Sequence, residues 1–383
     1  MSGFQHLSVD GFRRLCGVEL DFTDRPLCVL IGANGSGKTS ILDVFSLLAA
    51  TAQGKLAERI SGLSGFPAIL TRGKAERLLL GVSMVEGHGN KLRYDLALSP
   101  RGNSYIVESE SLTQITVSGE RSFTYIDSAT GDIRYYEPDT GKLLKRTWEH
   151  LDSQTSLAQV PKTHVLPEHF RQALADSVYY HALDVGPLAP VRLPQPIRPA
   201  SLPGMNGEDL VTCLYEMRET DHDRFDTIQD ALRAAFPGFD RLSFPPLAQG
   251  TLGMIWHDRD FPGGFYTYQL AEGAIRFLWL VTLLQSSALP LVTLLDEPEV
   301  SLHPELLSLL ADLLREASQR SQIIVATHSD RLVRFLSPKE VVVMDLDNGL
   351  TKLSWADSLD LEKWLDEYTL DQVWEMGRLG GRA

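Results

Sequence analysis

The segment Gly32-Ala-Asn-Gly-Ser-Gly-Lys-Thr-Ser40 constrains this chain more than any other. It fits G-x-x-x-x-G-K-[ST], with an apolar run (Leu27 to Ile31) before it and an apolar, helix-like stretch (Ile41 to Ala50) after it. Strand, glycine loop and helix, in that order, form the context a phosphate-binding loop requires. Glycines let the backbone close on an anion because no Cβ blocks the approach. The N–H groups along Asn34, Gly35, Ser36 and Gly37 then face the phosphates, and the helix start adds its positive end. Lys38 reaches the β- and γ-phosphates, the Thr39 hydroxyl sits on Mg2+, and Ser40 completes the loop. The chain is expected to bind a nucleoside triphosphate.

A second segment supplies the partner that such a loop needs. Leu291-Val-Thr-Leu-Leu-Asp-Glu-Pro298 is a buried-type strand ending in two acids. Ligands of open α/β sheets bind at the carboxyl ends of strands, so Asp296 is placed to hold Mg2+. Glu297, one residue on, is placed to orient or deprotonate a water. Ile323-Ile-Val-Ala-Thr-His-Ser-Asp330 repeats the strand-end pattern. His328 is there either a structural residue or a partner of the γ-phosphate or the attacking water, and the shared context favours the second. Gln269-Leu-Ala-Glu-Gly-Ala-Ile-Arg276 opens a helix. Its turn is either a phosphate-binding helix start or an ordinary helix with Glu272 in its first turn.

Composition narrows the class. With 36 basic against 50 acidic residues, the net charge of −14 argues against a broad, non-specific DNA coat but not against a local basic groove. No apolar run reaches the roughly 18 residues of a membrane span. The first residues, Met-Ser-Gly-Phe-Gln-His, lack signal-peptide character. Cys16, Cys28 and Cys213 have no metal spacing and suit a reducing interior. A cytoplasmic location without membrane association is the expectation.

The order of patterns predicts an α/β fold. Strands are expected over residues 4–9, 18–22 and 27–31, then an antiparallel β-rich meander over about 77–143. In that meander, Ala-Thr-Gly131-Asp is a hairpin turn signal. Six prolines between Pro187 and Pro203 exclude helix and central strand. Helices follow to about residue 236, and the last third alternates helix with buried strand, which implies a mostly parallel sheet. The expected division is a nucleotide-binding core from residues 1–75 and 245–383, a β-rich lobe at 76–145 and a helical, proline-rich insertion at 146–244.

Together these motifs resemble the ABC-type ATPases of the SMC/RecF-like class, in the bacterial "AAA family ATPase" or "predicted ATPase" group. The residues that carry the resemblance run through most of the chain. They are Asp10-Gly-Phe-Arg-Arg14, the P-loop, Leu270-Ala-Glu-Gly273 as signature motif, Leu294 to Pro304 as Walker B and D-loop, Thr327-His-Ser329, and the tail Trp374 to Gly381. The resemblance implies a P-loop NTPase head with a mostly parallel core sheet, an antiparallel β lobe and an inserted helical region. It implies a head-to-tail homodimer sandwiching ATP and Mg2+, with the turn at Ala271 and Gly273 facing the partner's P-loop. It implies Glu297 as catalytic base, His328 as γ-phosphate sensor, Lys38 and Thr39 on phosphates and metal, Asp296 on the metal, and Arg13 touching the nucleotide.

Two features depart from the pattern. The usual signature serine is Ala271, and no Q-loop glutamine is evident, Gln53 falling early and without a strand before it. About 230 residues without heptads separate Lys38 from Gly273, which excludes long coiled-coil arms. The expected function is an ATP-hydrolysing switch in DNA repair or anti-phage defence, working with a separate nuclease or other effector and possible DNA. The alternatives are a nucleotide-dependent scaffold with negligible hydrolysis and a monomeric P-loop kinase.

Overall fold

The computed structural model describes residues 3–85, 89–115, 122–129, 132–137, 141–145 and 154–380. The chain opens with β1 (Phe4–Asp10), β2 (Val18–Asp21) and β3 (Leu27–Gly32), then the P-loop, α1 (Lys38–Ala52), α2 (Leu56–Gly62) and α3 (Phe66–Ile69). Next come β4 (Leu78–Val85), β5 (Lys91–Arg101), β6 (Ser104–Ile115), β7 (Ser122–Ala129), β8 (Asp132–Glu137) and β9 (Lys142–Lys145). The middle holds α4 (Val165–Ala175), β10 (Val178–Tyr180), β11 (Gln195–Pro196), α5 (Leu210–Thr220) and α6 (His222–Ala235). Then come β12 (Phe239–Ser243), β13 (Thr251–Leu252), β14 (Ile255–Asp258), β15 (Phe265–Tyr266) and α7 (Glu272–Gln285). The last part runs β16 (Val292–Asp296), α8 (Leu307–Ser318), β17 (Gln322–Ala326), α9 (Asp330–Val333), β18 (Val341–Asp347) and β19 (Leu350–Trp355).

Two sheets sandwich α1. The first is antiparallel, in the order β2-β1-β4-β5-β6-β7-β8-β9. The second has the order β10-β16-β17-β3-β18-β19, parallel from β10 to β18 and antiparallel only at β19. β3 shows how the sequence dictates this. All six of its residues are buried, as expected where both faces of a parallel strand are covered. Side chains alternate across a strand. Cys28 and Leu30 join one core with α1 and the antiparallel sheet, while Leu27, Val29 and Ile31 join another with α5 to α8. Thirteen of the fifteen residues of α1 are therefore buried, including its polar Ser40 and Asp43.

Two pairings differ from the sequence reading. β1 and β2, expected with the nucleotide core, are part of the antiparallel sheet, because β1 pairs with β4 along its length. β10, from the stretch read as an insertion, is an edge strand of the parallel sheet beside β16. The proline-rich stretch is ordered: Gln195–Pro196 pairs with Thr251–Leu252, an edge position that tolerates proline. β7 and β8 do pair, whereas Thr130 and Gly131 of the expected turn lie outside the described residues, as does Gly381 of the tail.

Candidate nucleotide-binding site

The register of the parallel sheet brings the functional residues to one edge. Asp296 stands opposite Ala326, and Ala326 opposite Leu30, so β16, β17 and β3 end almost level. The turns that leave these three strands, carrying Glu297, His328 and the P-loop, emerge together. A cleft of about 250 Å3 lies there, lined by Arg13, Arg14, Gly35, Gly37, Lys38, Thr39, Ser40 and His328.

The P-loop is shaped by its glycines. Gly32 has φ of 152°, and a Cβ there would stand 2.3 Å from the Met344 carbonyl. Gly37, with φ of 108°, would place a Cβ 2.8 Å from Thr351 Oγ1. That hydroxyl donates to the Ser36 carbonyl at 2.6 Å, and the Thr351 N–H donates to the Arg14 carbonyl at 2.9 Å. The β18–β19 hairpin thus braces the loop. Sequence reasoning missed β19 and Thr351, although Asn348-Gly349, with φ of 51° and 78°, is a strong hairpin signal.

Lys38 is 4% exposed, and its ammonium donates to the carbonyls of Gly32 (2.6 Å) and Ala33 (3.0 Å). Burial lowers its pKa to about 8, against the opposing pull of Glu297 and Asp296. Thr39 is exposed at the cleft and Asn34 is exposed outside its lining, while the buried Ser36 Oγ has no hydrogen-bond partner. Arg13 lines the cleft, but its guanidinium is tied to Asp43 of α1 at 2.7 Å and to Ser40 Oγ at 3.4 Å. Arg59 holds the other Asp43 oxygen, also at 2.7 Å. Arg14, which sequence reasoning passed over, is exposed in the same cleft.

Asp296 Oδ2 accepts a hydrogen bond from the Tyr179 hydroxyl at 2.8 Å. Burial raises its pKa, and the neighbouring Glu297 adds to the rise. Glu297 takes φ of 50°, a left-handed value rare for a residue with a side chain and common where function imposes strain. Its N–H donates to the Ala326 carbonyl at 2.8 Å, which fixes the turn. His328 Nε2 stands 3.7 Å from Glu297 Oε1, and partial desolvation together with nearby Lys38 lowers the histidine's pKa. Glu299 escaped the sequence reading. It is half-buried, its pKa raised by desolvation, and it accepts from the Thr327 hydroxyl, tying the turn after β16 to the turn that carries His328.

These donors fit a divalent cation shared with a phosphate. Among the described residues no three His, Cys, Asp or Glu side chains form a cation cage. A hard cation would take Asp296 and the exposed Thr39 hydroxyl, and fill its shell with phosphate oxygens and water. Gln53 is no part of this set, for its amide donates to the Ala175 carbonyl at 2.7 Å and joins α1 to α4.

The turn at Ala271 lies outside the cleft lining. Ala271 precedes α7 and provides no side-chain cap, so the first N–H groups of the helix lack that partner. Gly273 lets the segment after β16 approach: a Cβ there would meet the Ser301 carbonyl at 2.8 Å. Ser301 Oγ donates to Glu272 at 2.8 Å, and Arg276 holds the same carboxylate at 3.0 Å. Arg192, in the proline-rich stretch, donates to the carbonyls of Val185 (2.6 Å), Leu270 (2.9 Å), Tyr268 (3.3 Å) and Thr267 (3.4 Å). That stretch therefore holds the approach to α7.

Residues 27–334, most of the chain, match the protein family described as "AAA domain, putative AbiEii toxin, Type IV TA system". A curated relative, the DNA replication and repair protein RecF of Geobacter metallireducens, is 31% identical over 142 residues. That match covers 34% of this chain and only 39% of the relative. Among solved structures, the Smc head domain with an extended coiled coil from Pyrococcus furiosus, bound to the C-terminal domain of ScpA, superposes with a TM-score of 0.55 at 13% identity. It covers 99% of this chain and 100% of that one. The Smc head domain with a coiled coil and joint from Pyrococcus yayanosii gives 0.54 at 10% identity over the same shares. At such identities these two show the fold alone. No helix among the described residues is long and apolar enough to cross a membrane.

Proposed function

The chain belongs to this AAA-domain family, as an SMC/RecF-like ABC-type ATPase without a long coiled coil, and we propose that it hydrolyses ATP as a head-to-tail dimer. In this reading Lys38 and the loop from Asn34 to Ser40 grip the triphosphate, and Lys38 exchanges its two backbone carbonyls for phosphate oxygens. Asp296 and Thr39 hold Mg2+, which when bound neutralises charge on the phosphate oxygens. Glu297 orients and deprotonates the attacking water, and His328 meets the γ-phosphate. The turn at Ala271 and Gly273 closes the partner's site with its helix N-terminus.

The observation that carries this reading is the composition of the cleft. Arg13, Arg14, P-loop residues and His328 line it, Asp296 and Glu297 line a separate small pocket, and no residue of the turn before α7 lines either. A second copy would supply that turn. The dimer would then act as a switch for a separate effector, such as a nuclease, in DNA repair or anti-phage defence. The repair role draws on the name of the RecF relative, and the link to an effector on the toxin and TA system named in the family description. Ala271 favours one second reading, a scaffold that binds ATP with negligible hydrolysis, because it lacks the hydroxyl of the usual signature serine.

Phosphate release from ATP separates these readings. The wild type is expected to release phosphate to water at a rate per chain that rises with protein concentration, and Lys38→Ala to stay at background. Binding without release favours the scaffold. A phosphorylated acceptor in place of free phosphate means a kinase.

A further inference from the structure

The Tyr179–Asp296 hydrogen bond links a residue of the edge strand β10 to the acid at the end of β16. β10 runs parallel to β16 with Tyr179 opposite Leu294 and Tyr180 opposite Leu295, so both strands deliver their ends to the same corner. The Tyr179 hydroxyl donates to Asp296 Oδ2 at 2.8 Å. The ring of His181, two residues further along the chain, lies with its centroid 4.0 Å from that of Tyr179 at 39°. His181 also lines a small pocket with Asp296, Glu297 and Arg276.

We propose that Tyr179 is a positioning residue for the metal-binding carboxylate, fixing Asp296 through its hydroxyl while His181 fixes the Tyr179 ring. The proposal rests on the reading of Asp296 as the Mg2+ ligand. A carboxylate has lone pairs enough to accept from Tyr179 and still bind a cation. With Oδ2 occupied, Oδ1 and the remaining lone pair are presented in one orientation. Partners of this kind around a ligating group are worth about 10- to 100-fold in metal affinity. Tyrosine suits the task because its rigid ring carries one hydroxyl at a fixed reach, and packing against His181 restricts its rotation.

Calorimetric titration with the non-hydrolysable analogue AMP-PNP, in saturating Mg2+ and in EDTA, tests this without turnover. The readout is the Mg2+-dependent gain in affinity. Tyr179→Phe keeps the ring and removes the hydroxyl. It is expected to cut the gain about tenfold and to leave affinity in EDTA within about twofold of wild type. His181→Ala is expected to cut the gain less, and His181→Phe, which preserves a ring against Tyr179, to restore it. Asp296→Asn is the control for the underlying assignment and should abolish the gain. A Tyr179→Phe protein with the wild-type gain, beside an Asp296→Asn protein that has lost it, overturns the positioning role alone. An unchanged gain in Asp296→Asn overturns the metal assignment and the proposal with it.

Discussion

The P-loop edge and the turn before α7 are built by different means. At the P-loop edge, Lys38, Asp296 and His328 leave the ends of parallel strands whose register is fixed by backbone pairing. Their positions depend on the sheet, and the sheet is buried on both faces. The turn before α7 has no such frame. Side-chain bonds hold it, from Arg192 to its carbonyls and from Ser301 and Arg276 to Glu272. A site framed by backbone resists the removal of single side chains but not a Cβ driven into the backbone itself, whereas one held by side chains loses geometry when any of them is removed. The first half belongs to one chain, and the second, in the proposed dimer, completes the site of another. Substitutions at the two places should therefore fail in different assays.

The largest effect is expected at Gly32. Alanine there puts a Cβ 2.3 Å from the Met344 carbonyl in a left-handed conformation, and should cost about 3 kcal/mol or more. Denaturant unfolding reads the stability, and calorimetry should find nucleotide binding lost. Gly273→Val should act on the other half. Its side chain displaces Ser301, so ATP-driven pairing fails in light scattering while AMP-PNP binding by the monomer is retained. Loss of monomer binding in Gly273→Val would break the distinction.

Arg192→Ala sharpens the comparison further. Removing hydrogen bonds to several carbonyls loosens the turn, and a single charged hydrogen bond contributes about 1.5–3 kcal/mol. ATP-driven pairing should weaken about tenfold, with monomer binding unchanged. The smallest effect is on pH. Because the Lys38 pKa is about 8 in the folded chain, against an ordinary value of 10.5, the unfolded chain holds that proton more tightly. The resulting penalty on folding is fully present below pH 8 and is relieved as pH rises from 8 to 10.5. Binding has the opposite sign, for phosphates need the ammonium form. Nucleotide affinity should fall about fourfold between pH 7 and 8.5, with proton uptake detected by calorimetry in buffers of different ionisation enthalpy.

The same contrast explains what could be read from the residues. Lys38, Asp296, Glu297 and His328 stand at or just beyond the ends of largely apolar runs, and such runs announce both the strand and its functional end. Their partners are far apart in sequence. Tyr179 meets Asp296 across 117 positions, Thr351 meets Ser36 across 315, and Arg192 meets Leu270 across 78. No local pattern marks these pairs. β10 is three residues long, too short for a periodicity to show. The alternation in β1 and β2 predicted strands correctly but not their sheet, because β1 chooses β4 as partner only once the chain has folded. Asn348-Gly349 was the exception, a local signal in plain view.

The central claim, that the turn before α7 completes a second chain's site, is tested most directly by the mass of Glu297→Gln in solution. This variant retains Lys38 and Asp296 and removes the base, so bound ATP should persist. With ATP and Mg2+, multi-angle light scattering should give twice the mass of one chain, falling to a single chain when ATP is omitted or Gly273→Val is added. A Glu297→Gln protein that binds ATP and remains at the mass of one chain would contradict the account.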